Sequence, residues 1–255
     1  MKNIRYTLTV LWEVLFVLNF LFWQVVFYFP LKYLFADESR WKTSMKVQRF
    51  WAGWLRVTMG VRTLIEYEEP LDPNGVYILT PNHTNFLDIL VAYKFIPTYF
   101  HFMAKASLAK VPLFKIMFWR THIPFDRSSK LESSEAYQRA CSDLKKGYSI
   151  LIYPEGTQNA NRGTLLPFKT GAFRMCVQMQ IPIVPVVCVN NLDLLPHQSE
   201  LFKLRPGGPG TLYIKVGKPL YPAECNNDTR LLSEKVHTFM QNHLNAYYAT
   251  RSANR

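Results

Sequence analysis

The chain has 255 residues, 49% of them hydrophobic and 15% aromatic, and its 30 Lys and Arg against 18 Asp and Glu leave a net charge of +12. That length suits one α/β domain with an N-terminal appendage, and a basic surface on so apolar a chain fits an anionic membrane at least as well as nucleic acid. Cys141, Cys176, Cys188 and Cys225 form no Cys-x-x-Cys pair and lack zinc-like spacing, so they read as reduced cysteines of a cytoplasm-facing domain.

From Leu8 to Phe29 the sequence is almost wholly apolar, interrupted by Glu13, Asn19 and Gln24. Those 22 residues are long enough to cross a bilayer of about 30 Å at about 1.5 Å per residue. Trp12, Trp23, Tyr28 and Tyr33 suit the membrane–water interface. Lys2 and Arg5 precede the run as in a signal peptide, but no small-residue cleavage site follows, so the segment is expected to be retained. Glu13 would be costly on a lipid-facing helix. The next stretch, Trp41 to Val61, mixes Lys42, Lys46, Arg49 and Arg56 with Trp41, Phe50, Trp51 and Trp54. Such a helix either lies in the interface or packs its apolar side on the domain; the pattern does not separate core from lipid. Residues 1–61 are therefore assigned to membrane-associated helices, spanning or lying in one leaflet, and residues 62–255 to the main domain.

After Gly60 strands and helices alternate. Val76 to Thr80 reads as a buried strand, followed by a loop and a helix to about Lys94. Tyr99 to Ala104 is a second strand, ending at Lys105; an apolar and basic stretch, Leu108 to Trp119, leads to a short strand at Thr121 to Pro124. Leu131 to Lys146 reads as a helix closed by Gly147, Ser149 to Tyr153 as a strand, and Gly171 to Gln180 as a helix. Ile183 to Val189 is strongly β-branched, and Pro185 within it predicts an edge or a bulge. Thr211 to Val216 is a further strand, and Thr229 to Tyr248 a closing helix. This order argues an αβα sandwich over a mostly parallel or mixed sheet, preceded by N-terminal membrane-associated helices.

Functional residues in such sheets gather in loops beyond the carboxyl ends of strands. His83, Lys105, Arg127 and Glu155 each follow a candidate strand. His83 and Asp88, five residues apart, would point about 140° apart on one helix, since each residue turns about 100°. They meet only if His83 lies on the loop and Asp88 in the first helical turns, with Thr84 or Asn85 as cap. The carboxylate then holds one ring nitrogen and leaves the other to take a proton from a hydroxyl. Arg127, Lys105 and Lys169 supply charge for a phosphate, and Glu155-Gly156-Thr157 a carboxylate beside a permissive backbone. There is no Gly-x-Ser-x-Gly elbow, no phosphate-binding Gly-rich loop and no His-Glu-x-x-His, which leaves direct attack by an activated hydroxyl. Each residue also has a plainer reading: a histidine in a turn, an aspartate at a helix N-terminus, or a solvated lysine.

Four blocks resemble the glycerolphosphate acyltransferase superfamily, most closely its 1-acyl-sn-glycerol-3-phosphate acyltransferases. They are Asn82-His83 with Asp88, then Phe125-Asp126-Arg127, then Pro154-Glu155-Gly156-Thr157 with Phe168-Lys169-Thr170-Gly171, and last Ile183 to Val187 with its Val-Pro-Val. The resemblance implies that His83, oriented by Asp88, deprotonates the free hydroxyl of a lysolipid, which attacks an acyl thioester. Acyl-CoA or acyl-carrier protein would be the donor, lysophosphatidate the acceptor, and membrane lipids the surroundings, with no metal, cofactor or nucleic acid. Arg127 and Glu155-Gly156-Thr157 would hold the acceptor phosphate and shape the site, with Lys105 nearby. One departure stands out: the family places arginine after Glu-Gly-Thr, and here the residue is Gln158. Either Arg162 compensates, or the acceptor is a lysophospholipid with a masked phosphate. Outside that class, the same chain reads as a catalytically silent basic module that binds anionic lipid.

Overall fold

The computed structural model describes residues 2–107, 115, 120–197 and 207–253. The chain opens with α1 (Lys2–Phe35), a 3-10 turn at Glu38–Arg40 and α2 (Trp41–Thr58). Gly60, at φ +67°, turns the chain from α2 into β1 (Val61–Tyr67), a strand for which the sequence offered no expectation. Then come β2 (Ile78–Pro81), α3 (Leu87–Phe95), β3 (Phe100–Lys105), β4 (Ile123–Phe125), α4 (Lys130–Lys145) and β5 (Ser149–Leu151). The second half adds α5 (Gly171–Met179), β6 (Ile183–Cys188), the short α6 (Asn191–Leu194), β7 (Gly210–Val216) and α7 (Thr229–Ala253). The stretch expected between Leu108 and Trp119 lies outside the described residues, Lys115 apart.

Among the described residues the seven strands form one sheet in the order β1-β7-β6-β2-β5-β3-β4. Every pairing is parallel except β6 with β7. The five strands β6-β2-β5-β3-β4 therefore end on the same side of the molecule. Pro185 does not mark an edge or a bulge, because β6 runs between β2 and β7. Its missing N–H faces the chain beyond Val216, where β7 has already ended, and its carbonyl still accepts from Gly217 N at 2.9 Å. The proline sits one residue beyond the last β6–β7 pair, Val186 with Val216, so its absent N–H breaks no pairing inside that ladder.

Side-chain alternation along the strands builds two cores. Leu79, Val184, Val186 and Leu212 face the layer of α1, α2 and α3; Ile78, Ile150, Ile183 and Val187 face α4, α5 and α7. The expected sandwich is thus present, with one difference of emphasis: α2 packs directly on the domain. Its Met45, Trp51, Ala52 and Leu55 join the first core, while Phe50, Trp54 and Val57 stay exposed.

α1 is half in and half out. Trp12, Phe16 and Phe20 reach the core, and Thr9, Asn19 and Gln24 turn toward the domain, whereas Glu13 is only partly buried. Thr9 Oγ1 donates to Gly207 O at 3.0 Å, Asn19 Nδ2 to Thr58 Oγ1 at 2.6 Å, and Gln24 is buried. Leu11, Leu18, Phe22, Val25 and Phe29 remain exposed. The segment Tyr6–Phe35 is long and apolar enough to cross a membrane, and its most apolar window is only 22% buried. A soluble core helix of that hydropathy would be mostly buried, so its outer face is matched to lipid.

Gly217 is a tight point of this packing. A Cβ there would sit 2.7 Å from Pro185 Cγ and 2.9 Å from Phe239 Cζ. We expect Gly217→Ala to destabilise by about 1–3 kcal/mol through overpacking, which lowers the melting midpoint by several degrees in detergent. An unchanged midpoint would show that β6 and α7 yield freely at this contact.

Candidate active site

The carboxyl ends of β2, β5 and β6 meet around His83. β2 delivers Asn82 and His83 into the loop, and α3 begins four residues later. The N-cap is Phe86 rather than Thr84 or Asn85, but Asn85, one residue earlier, accepts the N–H of Leu87 on its Oδ1 at 2.9 Å. Asp88, in the first turn of α3, then points back under the loop. His83 Nδ1 and Asp88 Oδ2 are 2.8 Å apart. Asp88 is wholly buried, while the His83 side chain is 12% exposed, so one edge of the ring reaches solvent.

Donors surround the buried carboxylate. Oδ2 takes the backbone N–H of Thr84 and, at 3.0 Å, that of Asn85; Oδ1 takes Thr84 Oγ1 at 3.1 Å and the amide of Asn191. With donors on all sides, the carboxylate acts as an acceptor toward His83 as well. That fixes the ring with its proton on Nδ1 and its lone pair on Nε2. Tyr153 stacks on the imidazole, ring centroids 3.9 Å apart at 16°, and its buried hydroxyl has no hydrogen-bond partner among the described residues.

Asn82 and Asn85 lock the loop to β6 and α6. Asn82 bonds Cys188 twice, Nδ2 to its carbonyl at 3.0 Å and Oδ1 from its N–H at 2.7 Å. Asn85 Nδ2 donates to the carbonyls of Asn191 and Leu195 at 3.0 and 2.6 Å. Neither Asn191 nor Tyr153 was singled out from the sequence. The rule that found the other loops reaches Asn191, since it follows β6 directly; Tyr153 ends the apolar run of β5 and looked like core.

Glu155 is 3% exposed and faces inward. Oε1 accepts His83 N at 3.0 Å; Oε2 accepts Asn159 Nδ2 at 2.7 Å and Leu166 N at 2.8 Å. Burial raises its pKa, and these hydrogen bonds pull the other way. Gly156 follows at φ +74°, a conformation suited to glycine, and a Cβ there would crowd Lys169 Cγ at 3.2 Å. The Gly156 N–H closes the turn onto Tyr153 O at 3.1 Å. Thr157 and Lys169 are exposed on the same loop system.

Lys105 and Arg127 share the sheet end but stand apart from His83. β3 and β4 lie two and three strands from β2, roughly 10 and 15 Å at about 4.8 Å per strand. Lys105 is exposed, and the Arg127 guanidinium lies over the Phe125 ring at 5.7 Å. Arg162 is engaged elsewhere: it pairs with Asp193, donates to Leu192 O at 2.8 Å, and shares Asp193 with Arg251. Among the described residues no group of three His, Cys, Asp or Glu is placed to hold a metal ion.

Because Glu155 takes donors on both oxygens, Glu155→Gln would turn its amide N–H2 toward an N–H. We expect a loss of about 1–3 kcal/mol, the cost of an unsatisfied buried group, read as a lower unfolding midpoint. Equal stability would mean that the carboxylate is not needed to tie the two loops together.

Residues 62–189 match the family described as Acyltransferase. Human 1-acyl-sn-glycerol-3-phosphate acyltransferase alpha is 30% identical over 205 residues, covering 79% of this chain and 70% of that protein. The 1-acyl-sn-glycerol-3-phosphate acyltransferase of Haemophilus influenzae is 33% identical over 142 residues, 54% of this chain and 58% of that protein. The chain thus spans under two thirds of the length of several curated relatives that it matches. The crystal structure of the 1-acyl-sn-glycerophosphate (LPA) acyltransferase PlsC from Thermotoga maritima superposes with a TM-score of 0.77 at 21% identity, covering 98% of both chains, and shows the same fold. The matched region takes in half of this chain and all four motif blocks, and it makes the chain a member of the glycerolphosphate acyltransferase superfamily.

Proposed function

We propose that the chain moves an acyl group from a thioester to the free sn-2 hydroxyl of 1-acyl-sn-glycerol-3-phosphate, giving phosphatidate for phospholipid synthesis. The observation that carries this reading is the 2.8 Å contact of His83 Nδ1 with buried Asp88 at the carboxyl end of β2. Nε2 takes the hydroxyl proton as the acceptor oxygen attacks the thioester carbonyl carbon. The tetrahedral intermediate collapses, the carbon–sulfur bond breaks, and the thiolate leaves as a thiol with the proton from His83. The scheme calls for no enzyme nucleophile, metal or cofactor. Acyl-CoA or acyl-carrier protein is the donor; the names of the relatives support the acceptor.

In this reading Arg127, Lys105 and Lys169 supply the positive rim for the acceptor phosphate, and Glu155-Gly156-Thr157 shapes the loop beside His83. Residues 1–61 anchor the chain in the membrane and bring lipid to residues 62–255, which face the cytoplasm. The inward polar residues and bare apolar outer face of α1 support the anchor.

A second acceptor reading has its own observation. Gln158 stands where the family carries arginine, and Arg162, the nearest substitute, is committed to Asp193. A lysophospholipid with a masked phosphate asks for less charge at this point.

The test is acyl transfer in mixed micelles with lysophosphatidate, lysophosphatidylcholine, lysophosphatidylethanolamine and lysophosphatidylglycerol. Transfer to lysophosphatidate is expected, with His83→Ala slower by about 10²–10⁴-fold. Transfer only to a diester lysolipid would move the assignment to the second reading. Lipid binding with no transfer from either donor would leave the basic lipid-binding module. If phosphate is the recognised group, Gln158→Arg adds a charge-assisted hydrogen bond and lowers KM for lysophosphatidate by about tenfold. An unchanged KM would place the phosphate elsewhere.

A further inference from the structure

α2 and α3 enclose a groove of about 320 Å³ at the other end of α3 from the His83–Asp88 pair. Six residues, or about 9 Å of helix rise, separate Asp88 from Lys94 at its rim. Arg49, Arg56 and Lys94 line the groove, and among the described residues no carboxylate does.

The two arginines are held in place from behind. Arg49 Nη2 donates to the carbonyls of Ile96, Pro97 and Thr98 at 2.7, 2.8 and 2.8 Å, and Arg56 Nη1 donates to Val61 O at 2.6 Å. Each guanidinium leaves donors unused, and both Nε–H groups are buried without a partner among the described residues. Fixed side chains lose little rotamer freedom when a ligand arrives.

Gly53 is the second observation. It lies inside α2 between Arg49 and Arg56, where glycine costs about 1 kcal/mol relative to alanine. Its φ is not positive, and a Cβ there would meet nothing within 4 Å. Among the described residues neither the backbone nor packing asks for glycine, so the residue leaves the helix surface open to a ligand. The same helix exposes Phe50, Trp54 and Val57 beside the apolar face of α1. That sets the groove close to the level of lipid head groups.

We propose that this groove binds the phosphate of an anionic phospholipid head group, with Arg56 and Lys94 as its charged contacts and the bare backbone at Gly53 as its floor. This site is separate from the one at His83, and its ligand is neither the acceptor nor the donor of the proposed reaction. It does not depend on the acyl-transfer reading.

The test uses the full chain in neutral detergent, titrated calorimetrically with short-chain phosphatidylglycerol or short-chain phosphatidylcholine. Gly53→Glu and Lys94→Glu should each weaken phosphatidylglycerol binding by about fivefold or more, as expected for a basic contact near a membrane surface. Lys46→Glu, an exposed charge on α2 outside the groove, should leave it within about twofold, where a diffuse basic surface would predict a similar loss. Equal losses in all three variants would overturn the site in favour of diffuse charge. No loss in any of them would overturn it outright. Intact lipid binding with a raised KM for acyl-CoA in Gly53→Glu would overturn the lipid source and give the groove to the phosphates of the soluble donor.

Discussion

The structure depends on one buried charge. Asp88 has no exposed side-chain surface, and a bare carboxylate there would cost several kcal/mol. The chain offsets this with donors from two segments: the Thr84 and Asn85 amides, the Thr84 hydroxyl and the His83 ring of the loop, and Asn191 beyond β6. Hydrogen bonds to a charged group contribute about 1.5–3 kcal/mol each, so loop, helix and neighbouring strand are drawn to one point. The ring that results has a fixed tautomer, a stacked face against Tyr153 and a single accessible edge.

Sheet topology makes this convergence possible. β2 lies between β5 and β6 with all three parallel, so their ends present Glu155 on one side of His83 and Asn191 on the other. The reversal falls one strand further out, between β6 and β7, and does not disturb the site. Glu155 and Asp88 divide the work. One carboxylate ties the backbone of His83 to the following loop, and the other orients its ring.

Much of this was legible in the sequence because the constraint is local. Five residues between His83 and Asp88 permit contact only across a loop–helix junction, and that is where the chain places them. The loops at Lys105, Arg127 and Glu155 follow from strands that apolar runs disclose. What remained hidden depends on partners distant in sequence. Asn191 acquires its role 103 residues from Asp88. Pro185 looked like an edge because a sequence does not reveal where the neighbouring strand stops. Arg162 looked free to replace a missing arginine, yet Asp193, 31 residues away, already holds it. The first strand, Val61–Tyr67, exposes Arg62, Leu64 and Glu66 on one face and only partly buries Thr63 and Ile65 on the other, which masked its pairing with β7. Trp41 to Val61 left core and lipid unresolved, and α2 turns out to serve the core with one face and stay exposed on the other.

The central claim is that Asp88 holds His83 with its proton on Nδ1, leaving Nε2 free to accept one. Nitrogen-15 NMR of histidine-labelled protein reads this directly, with His83→Gln identifying one signal among the six histidines. The expected result is a His83 ring that carries a proton on Nδ1 and keeps the Nε2 lone pair, with loss of that tautomer preference in Asp88→Asn. A His83 ring protonated at Nε2 would contradict it, because the nitrogen facing the acceptor hydroxyl would then have no lone pair to offer.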